Sequence, residues 1–397
     1  MESWRANLYI LLGGSLVASA SYSMVIPFLP LFLVKLGIHH NIGLWSGIVF
    51  SSSFLAGALI SPVWGALADR YGRRPMLIRS GIALTVLYAA MAFVKTPVEL
   101  LLIRVLMGLL SGYIPSATAL IGSTTPKASV GFALASLSTA TATGSILGPL
   151  FGGILSHAFS YQNTFLIAGA SVAISTVLAI IWVREPNFVP SEKKISILGD
   201  FSLAVKNRGL LTVLIAMMIT SFAIMTIEPL LPLYVIQLGV PVQNASLDTG
   251  IVFSVAGLSG IVFGPIWGRY GDRKGFRRTL LIGLLGGSLG NIAQIFFHSV
   301  FGFGAIRFFY GMFFCAVYPA LNALTVEKTD DAFRGRAFGI SQTFNQMGTL
   351  LGPLIGGYVG DLFHIDTVFI MTGTFLLIVA IYVFYARSLR ASSVTIA

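Results

Sequence analysis

Apolar runs of about 20 residues recur along this chain, and no other feature restricts its fold so tightly. A helix needs roughly 20 apolar residues to cross the hydrocarbon core of a bilayer. Twelve such runs can be read, at about 8–34, 42–68, 75–94, 98–122, 131–157, 162–183, 209–237, 247–268, 278–298, 300–325, 335–360 and 366–386. Lipid offers the backbone no hydrogen-bond partners, so runs of this length must satisfy themselves as helices. Of the 397 residues, 56% are hydrophobic and only 10% are charged, which excludes a soluble domain of this size. The sequence therefore predicts an all-α integral membrane protein with twelve transmembrane helices.

The net charge of +11 raises the question of nucleic acid, and its placement answers it. With the N-terminus in the cytoplasm, the inner side carries basic residues from Arg70, Arg73, Arg74 and Arg79 through Lys193 and Lys194 to Arg334 and Arg336. The tails add Arg5, Arg387 and Arg390, and the outer loops hold only Lys35 and Lys95. That asymmetry orients a multi-pass protein with both termini cytoplasmic. The positive charge then meets membrane lipid and requires no nucleic-acid partner. The first run reads as a retained span, since residues 1–7 are polar and no small-residue cleavage site follows a short apolar core. The one cysteine, Cys315, excludes an internal disulfide and a cysteine metal cluster.

The halves repeat each other. "PFLPLFLVKLG" (27–37) returns as "PLLPLYVIQLG" (229–239), an offset of 202. Gly65, Asp69, Arg70 and Gly72 return as Gly268, Asp272, Arg273 and Gly275 at offset 203, as do Arg104 and Gly108 as Arg307 and Gly311. "GSILGPLFGG" (144–153) returns as "GTLLGPLIGG" (348–357) at offset 204. Such parallel repeats are one architecture of secondary transporters. The expected organisation is a six-helix bundle over 1–183, a cytoplasmic linker over 184–208 and a second six-helix bundle over 209–397.

Membrane helices associate by close packing at small residues. Gly144, Gly148, Gly152 and the adjoining Pro149 and Gly153 form such a face on span 5; Gly348, Gly352, Pro353 and Gly356 form its counterpart on span 11. With similar stripes on spans 2 and 8, the expectation is an interface between the halves where helices slide or rock.

Three motifs together resemble the major facilitator superfamily, in its twelve-span drug:proton antiporter branch. They are "GALADRYGRR" (65–74) between spans 2 and 3, "RVLMGLLSG" (104–112) in span 4 and "GSILGPLFGG" in span 5. The resemblance covers essentially the whole chain. It implies two pseudo-symmetric bundles rocking about a cavity lined by spans 1, 4, 7 and 10, in a bacterial inner membrane, with a proton gradient as energy source and no cofactor. It also implies a conformational lock made of Gly65, Asp69, Arg70, Gly72, Arg73 and Arg74, with Asp69 at the start of span 11 and Asp272 a lesser second copy.

Intramembrane charge is expensive, so each instance is a functional candidate. Within spans the sequence offers Arg104, Glu228 and Arg307. Glu228, in "FAIMTIEPLLPLYV", is the only carboxylate well inside a span, although a position near the outer surface would leave it merely solvated. By resemblance it is the proton site, and Arg104 assists proton transfer. For a cavity the candidates are Tyr22 and Phe28 on span 1, Tyr113 on span 4 and Phe222 and Met225 on span 7. Span 10 adds the row Tyr310, Phe314, Tyr318, Asn322, and span 11 adds Gln342, Asn345 and Gln346. An aromatic cavity poor in charge suits hydrophobic cargo. The expectation is a monomeric proton-coupled exporter of drugs such as fluoroquinolones or lipophilic cations. The competing reading is a proton-linked carrier of one metabolite, a sugar or amino acid derivative. No cluster of catalytic side chains and no phosphate-binding loop suggests an enzyme or direct ATP drive.

Overall fold

A computed structural model of the protein describes residues 3–186, 188, 197–330 and 333–389. Lys193, Lys194 and Arg390, and the stretch 189–196 of the expected linker, lie outside the described residues. The chain separates into two compact units, Met1–Lys194 with Leu231–Ser254, and Ile195–Leu230 with Val255–Ala397.

The first unit is built on α1 (Ser3–Ser23), α2 (Leu29–Lys35), α3 (Ile42–Tyr71), α4 (Arg73–Met91), α5 (Pro97–Leu110), α6 (Tyr113–Thr124), α7 (Val130–Ala158) and α8 (Tyr161–Trp182). The chain continues through α9 (Ile197–Lys206), α10 (Arg208–Ile227), α11 (Leu231–Gln237), α12 (Val242–Lys274), α13 (Phe276–Ala293), α14 (Val300–Phe314), α15 (Val317–Glu327), α16 (Arg334–Leu362) and α17 (Ile365–Tyr385). Leu231–Ser254, which the repeat assigns to the second half, groups with the first unit because the start of α12 packs on α7.

Spans 1, 4, 7 and 10 are each broken into two pieces, which the sequence reading did not anticipate. A proline stands within the first three residues of every second piece: Pro30 in α2, Pro115 in α6, Pro232 in α11 and Pro319 in α15. Proline lacks the N–H that a helix interior needs, but the first turn does not use it, so proline starts a helix where it would break one. Spans 2, 5, 8 and 11 are continuous, with Pro62, Pro149, Pro265 and Pro353 inside α3, α7, α12 and α16.

Among the described residues, nine helical stretches are long and apolar enough to cross a membrane by themselves. Spans 1, 3 and 11 fall short for visible reasons. The first is rich in Gly and Ser, α4 begins with Arg73 and Arg74 and carries Arg79, and α16 contains Arg336, Gln342, Asn345 and Gln346. In the first unit Phe28, Phe32, Tyr88 and Phe165 fill one core; in the second, Val213, Leu284, Leu321 and Leu376 fill another.

Candidate functional site

In the second unit a polar group forms where span 7 breaks. Glu228 opens a short 3-10 turn, Glu228–Leu230, between α10 and α11. Pro229 and Pro232 stop the regular helix there, so the carboxylate sits beside loosened backbone. Glu228 interacts electrostatically with Arg307, Tyr310 and Tyr318. Arg307, on α14 and 5% exposed, donates from Nη1 to Gln294 Oε1 at 3.2 Å. The Tyr310 ring stacks on Phe314 at 5.2 Å and Phe314 meets Tyr318 edge-on at 6.0 Å, so this row stays continuous across the break between α14 and α15. Tyr318 Oη lies 3.0 Å from Ser221 Oγ on α10. Three of the predicted residues, Arg307, Tyr310 and Tyr318, thus gather around one carboxylate, with Phe314 between the two tyrosine rings. Asn322 and Gln342 are exposed, and Asn345 accepts a hydrogen bond from Thr349 Oγ1 at 3.0 Å through its carbonyl. Phe222 and Met225 line the groove that receives the glycines of α16.

The first unit has no counterpart carboxylate. Arg104 is fully buried, with its Cζ 5.9 Å from the Tyr22 ring centroid and 5.5 Å from that of Phe50. Tyr22 Oη is 3.2 Å from Ser53 Oγ. Phe28 and Tyr113 do not line an open wall as expected. Phe28 stacks on Tyr161 at 5.3 Å inside the core, and Tyr113 is 3% exposed with its Oη 3.1 Å from Ser175 Oγ.

The breaks in spans 4 and 10 are held by a matched pair of tryptophans. Trp64 Nε1 donates to Leu109 O at 2.7 Å, and Trp267 Nε1 donates to Met312 O at 2.7 Å. A helix end leaves its last carbonyls free, and each indole satisfies one of them. The signal was in the sequence: "SPVWG" (61–65) and "GPIWG" (264–268) repeat at offset 203. In the first unit Arg79 adds a second clamp. Its guanidinium lies 3.4 Å from the Trp64 ring centroid, and Nη2 donates to Ser111 O at 3.1 Å. Arg79 is therefore part of a span and not of an inner loop. Trp267→Phe should cost about 0.5–1.5 kcal/mol, the net value of one hydrogen bond. The check is a lowered thermal midpoint in detergent, and an unchanged midpoint would remove the clamp.

The loop motif is organised within the first unit. Gly72 joins α3 to α4 at φ +101°, a conformation that favours glycine. Glu185 Oε2 accepts from the Arg74 backbone N–H at 2.9 Å, placing a carboxylate on the α4 N-terminus. Arg74 Nη2 donates to Ile180 O at 2.8 Å, capping the end of α8; Arg277 Nη2 does the same for α17 through Phe384 O at 2.5 Å. Asp69 and Arg73 approach to 3.9 Å at the surface, Arg70 lies over the Tyr71 ring at 5.4 Å, and Asp272 is exposed. A Cβ on Gly65 would meet nothing within 4 Å.

Gly144, Gly148, Gly152, Gly348, Gly352 and Gly356 serve packing inside their own half, which corrects the interface between halves expected of them. Gly144, Gly148 and Gly152 receive the α1 backbone around Leu16, Ala20 and Met24. Gly348, Gly352 and Gly356 receive α10 around Met218, Phe222 and Thr226. Gly153 turns instead to α12, which the repeat assigns to the second half, against Ser246, Leu247 and Gly250, and Pro149 O faces Gly250 there. Pro149 and Pro353 are buried within these contacts.

Comparison with known proteins adds an independent line. The sequence matches the Major Facilitator Superfamily over residues 11–275 and 244–395. It is 36% identical over 384 residues to "Multidrug resistance protein MdtG" of Klebsiella pneumoniae (strain 342), covering 96% of this chain and 93% of that one. The protein of the same name from Proteus mirabilis (strain HI4320) is 33% identical over 385 residues, covering 96% of each. Among solved structures, a bacterial homolog of the human lysosomal transporter Spinster, inward-facing and occupied, aligns with a TM-score of 0.80 at 16% identity, covering 97% of both chains. The nucleoside transporter NupG aligns with a TM-score of 0.78 at 16% identity, covering 97% of this chain and 98% of that one.

Proposed function

The chain belongs to the Major Facilitator Superfamily, as a multidrug-type transporter and not an enzyme, and from that membership we propose that it exports hydrophobic compounds in exchange for protons. The observation that carries this reading is Glu228 at the break of span 7, in the field of Arg307 and beside Tyr310 and Tyr318. A carboxylate at loosened backbone can be reached by a proton from one side and relieved of it from the other. Arg307 faces the carboxylate, and cargo competes for the same position when the proton leaves. The Tyr310, Phe314 and Tyr318 rings offer faces for flat hydrophobic cargo such as fluoroquinolones or lipophilic cations.

In this reading the two halves alternate in access, with Asp69, Arg70, Gly72, Arg73 and Arg74 and the lesser Asp272 copy acting as the switch. Arg104 tunes coupling from the other half. The protein works as a monomer in a bacterial inner membrane, with both termini cytoplasmic and the proton gradient as its energy source. The test uses inverted membrane vesicles with an acidic lumen and a panel of fluorescent lipophilic drugs. Accumulation that collapses when the gradient is discharged supports the exchange. Accumulation indifferent to the gradient, or none over the panel, would turn the assignment toward a metabolite carrier.

A further inference from the structure

We propose that Arg104 forms an anion-binding site in the core of the first unit, taking a compact monovalent anion: a halide, or the carboxylate of a transported compound. Arg104 is 0% exposed, and its Nε, Nη1 and Nη2 have no hydrogen-bond partner among the described residues. An arginine does not shed its proton in a protein. A buried ion without a partner costs several kcal/mol, so this guanidinium requires a counter-charge from somewhere.

Three of the unit's four described acids are engaged elsewhere. Asp69 approaches Arg73, Glu99 Oε2 accepts from the Lys95 backbone N–H at 2.7 Å, and Glu185 accepts from Arg74. The rings of Tyr22 and Phe50 flank the cation but carry no charge to cancel it. A second buried group without a partner stands in the same field: Tyr88 Oη, which interacts electrostatically with Arg104. A phenol and a guanidinium together are a donor set for an anion.

The repeat sharpens the point. Arg307, the counterpart of Arg104, has Gln294 as a hydrogen-bond partner and Glu228 in its field. The positions 203 and 202 residues earlier are Met91 and Ile26, which supply neither. The second half carries its counter-charge covalently, and the first half takes it from solution or cargo. Complete burial limits that anion to a compact one. None of this depends on the proton-exchange reading.

The experiment is thermal unfolding of the purified full-length protein in gluconate buffer at constant ionic strength, titrated with chloride, bromide or acetate. The wild-type midpoint should rise saturably by about 3 °C or more. Arg307→Gln should keep the rise and Arg104→Gln should lose it. A rise with halides and not acetate identifies a halide; a rise with acetate and not halides identifies a carboxylate. Should Arg104→Gln not fold, Arg104→Lys replaces it, with an expected loss of anion affinity of about tenfold or more. An equal rise in Arg104→Gln, an unchanged affinity in Arg104→Lys, or no saturable rise in the wild type would overturn the proposal.

Discussion

Glu228→Gln is expected to lose gradient-driven drug accumulation in inverted vesicles by more than about tenfold, the effect of little over 1 kcal/mol in a coupling step. Glutamine keeps the shape and the polar contacts of the side chain but cannot load a proton. Cargo exchange in the absence of a gradient should persist, because in the proposed exchange it needs no proton. That second readout separates a coupling defect from misfolding. If accumulation survives in the variant, the proton moves through another group, and the Arg307 cluster becomes a cargo contact alone.

Gly352→Ala is expected to be strongly damaging in the second unit. The added methyl would lie 2.6 Å from Met225 Cβ and 2.6 Å from Phe222 O, inside the α10–α16 contact. Backbone on the far side cannot retreat without moving α10 as a whole. Overpacking of this kind typically costs about 1–3 kcal/mol, and backbone contact places it at the upper end. The yield of monodisperse protein and its thermal midpoint should both fall. Gly264→Ala is the control, since a Cβ there meets nothing within 4 Å. Equal behaviour of the two variants would mean that α10 and α16 are not packed as closely as described.

Much of the architecture was legible because lipid enforces simple rules. Run length gave the spans, and a near-constant offset the duplication. The carboxylate of span 7 was legible for the same reason, since charge inside an apolar run stands out. What sequence could not tell was direction around a helix. The glycines of α7 and α16 were read correctly as contact surfaces, but spacing does not name the partner, and they turned out to grip α1 and α10. Phe28 and Tyr113 share their spans with cavity candidates, yet their faces lead into the core. The breaks of spans 1, 4, 7 and 10 were hidden because apolar composition runs straight through them. Only the prolines mark them, and the same residue sits inside α3, α7, α12 and α16 without breaking the helix. Trp64 and Trp267 were passed over because an aromatic residue in an apolar run is unremarkable until its repeat partner is noticed.

The shortest pieces bear on how the chain is made. α2 and α11 have seven residues each, about 10 Å of helix, a third of the hydrocarbon thickness. Neither can hold a place in lipid alone. α2 rests on α3, which leaves the ribosome directly after it, so the first span is complete as soon as the second arrives. α11 packs on α2, made some 200 residues earlier. The seventh span, long and apolar enough to cross the membrane by itself, therefore settles its last turns against a surface laid down early in synthesis.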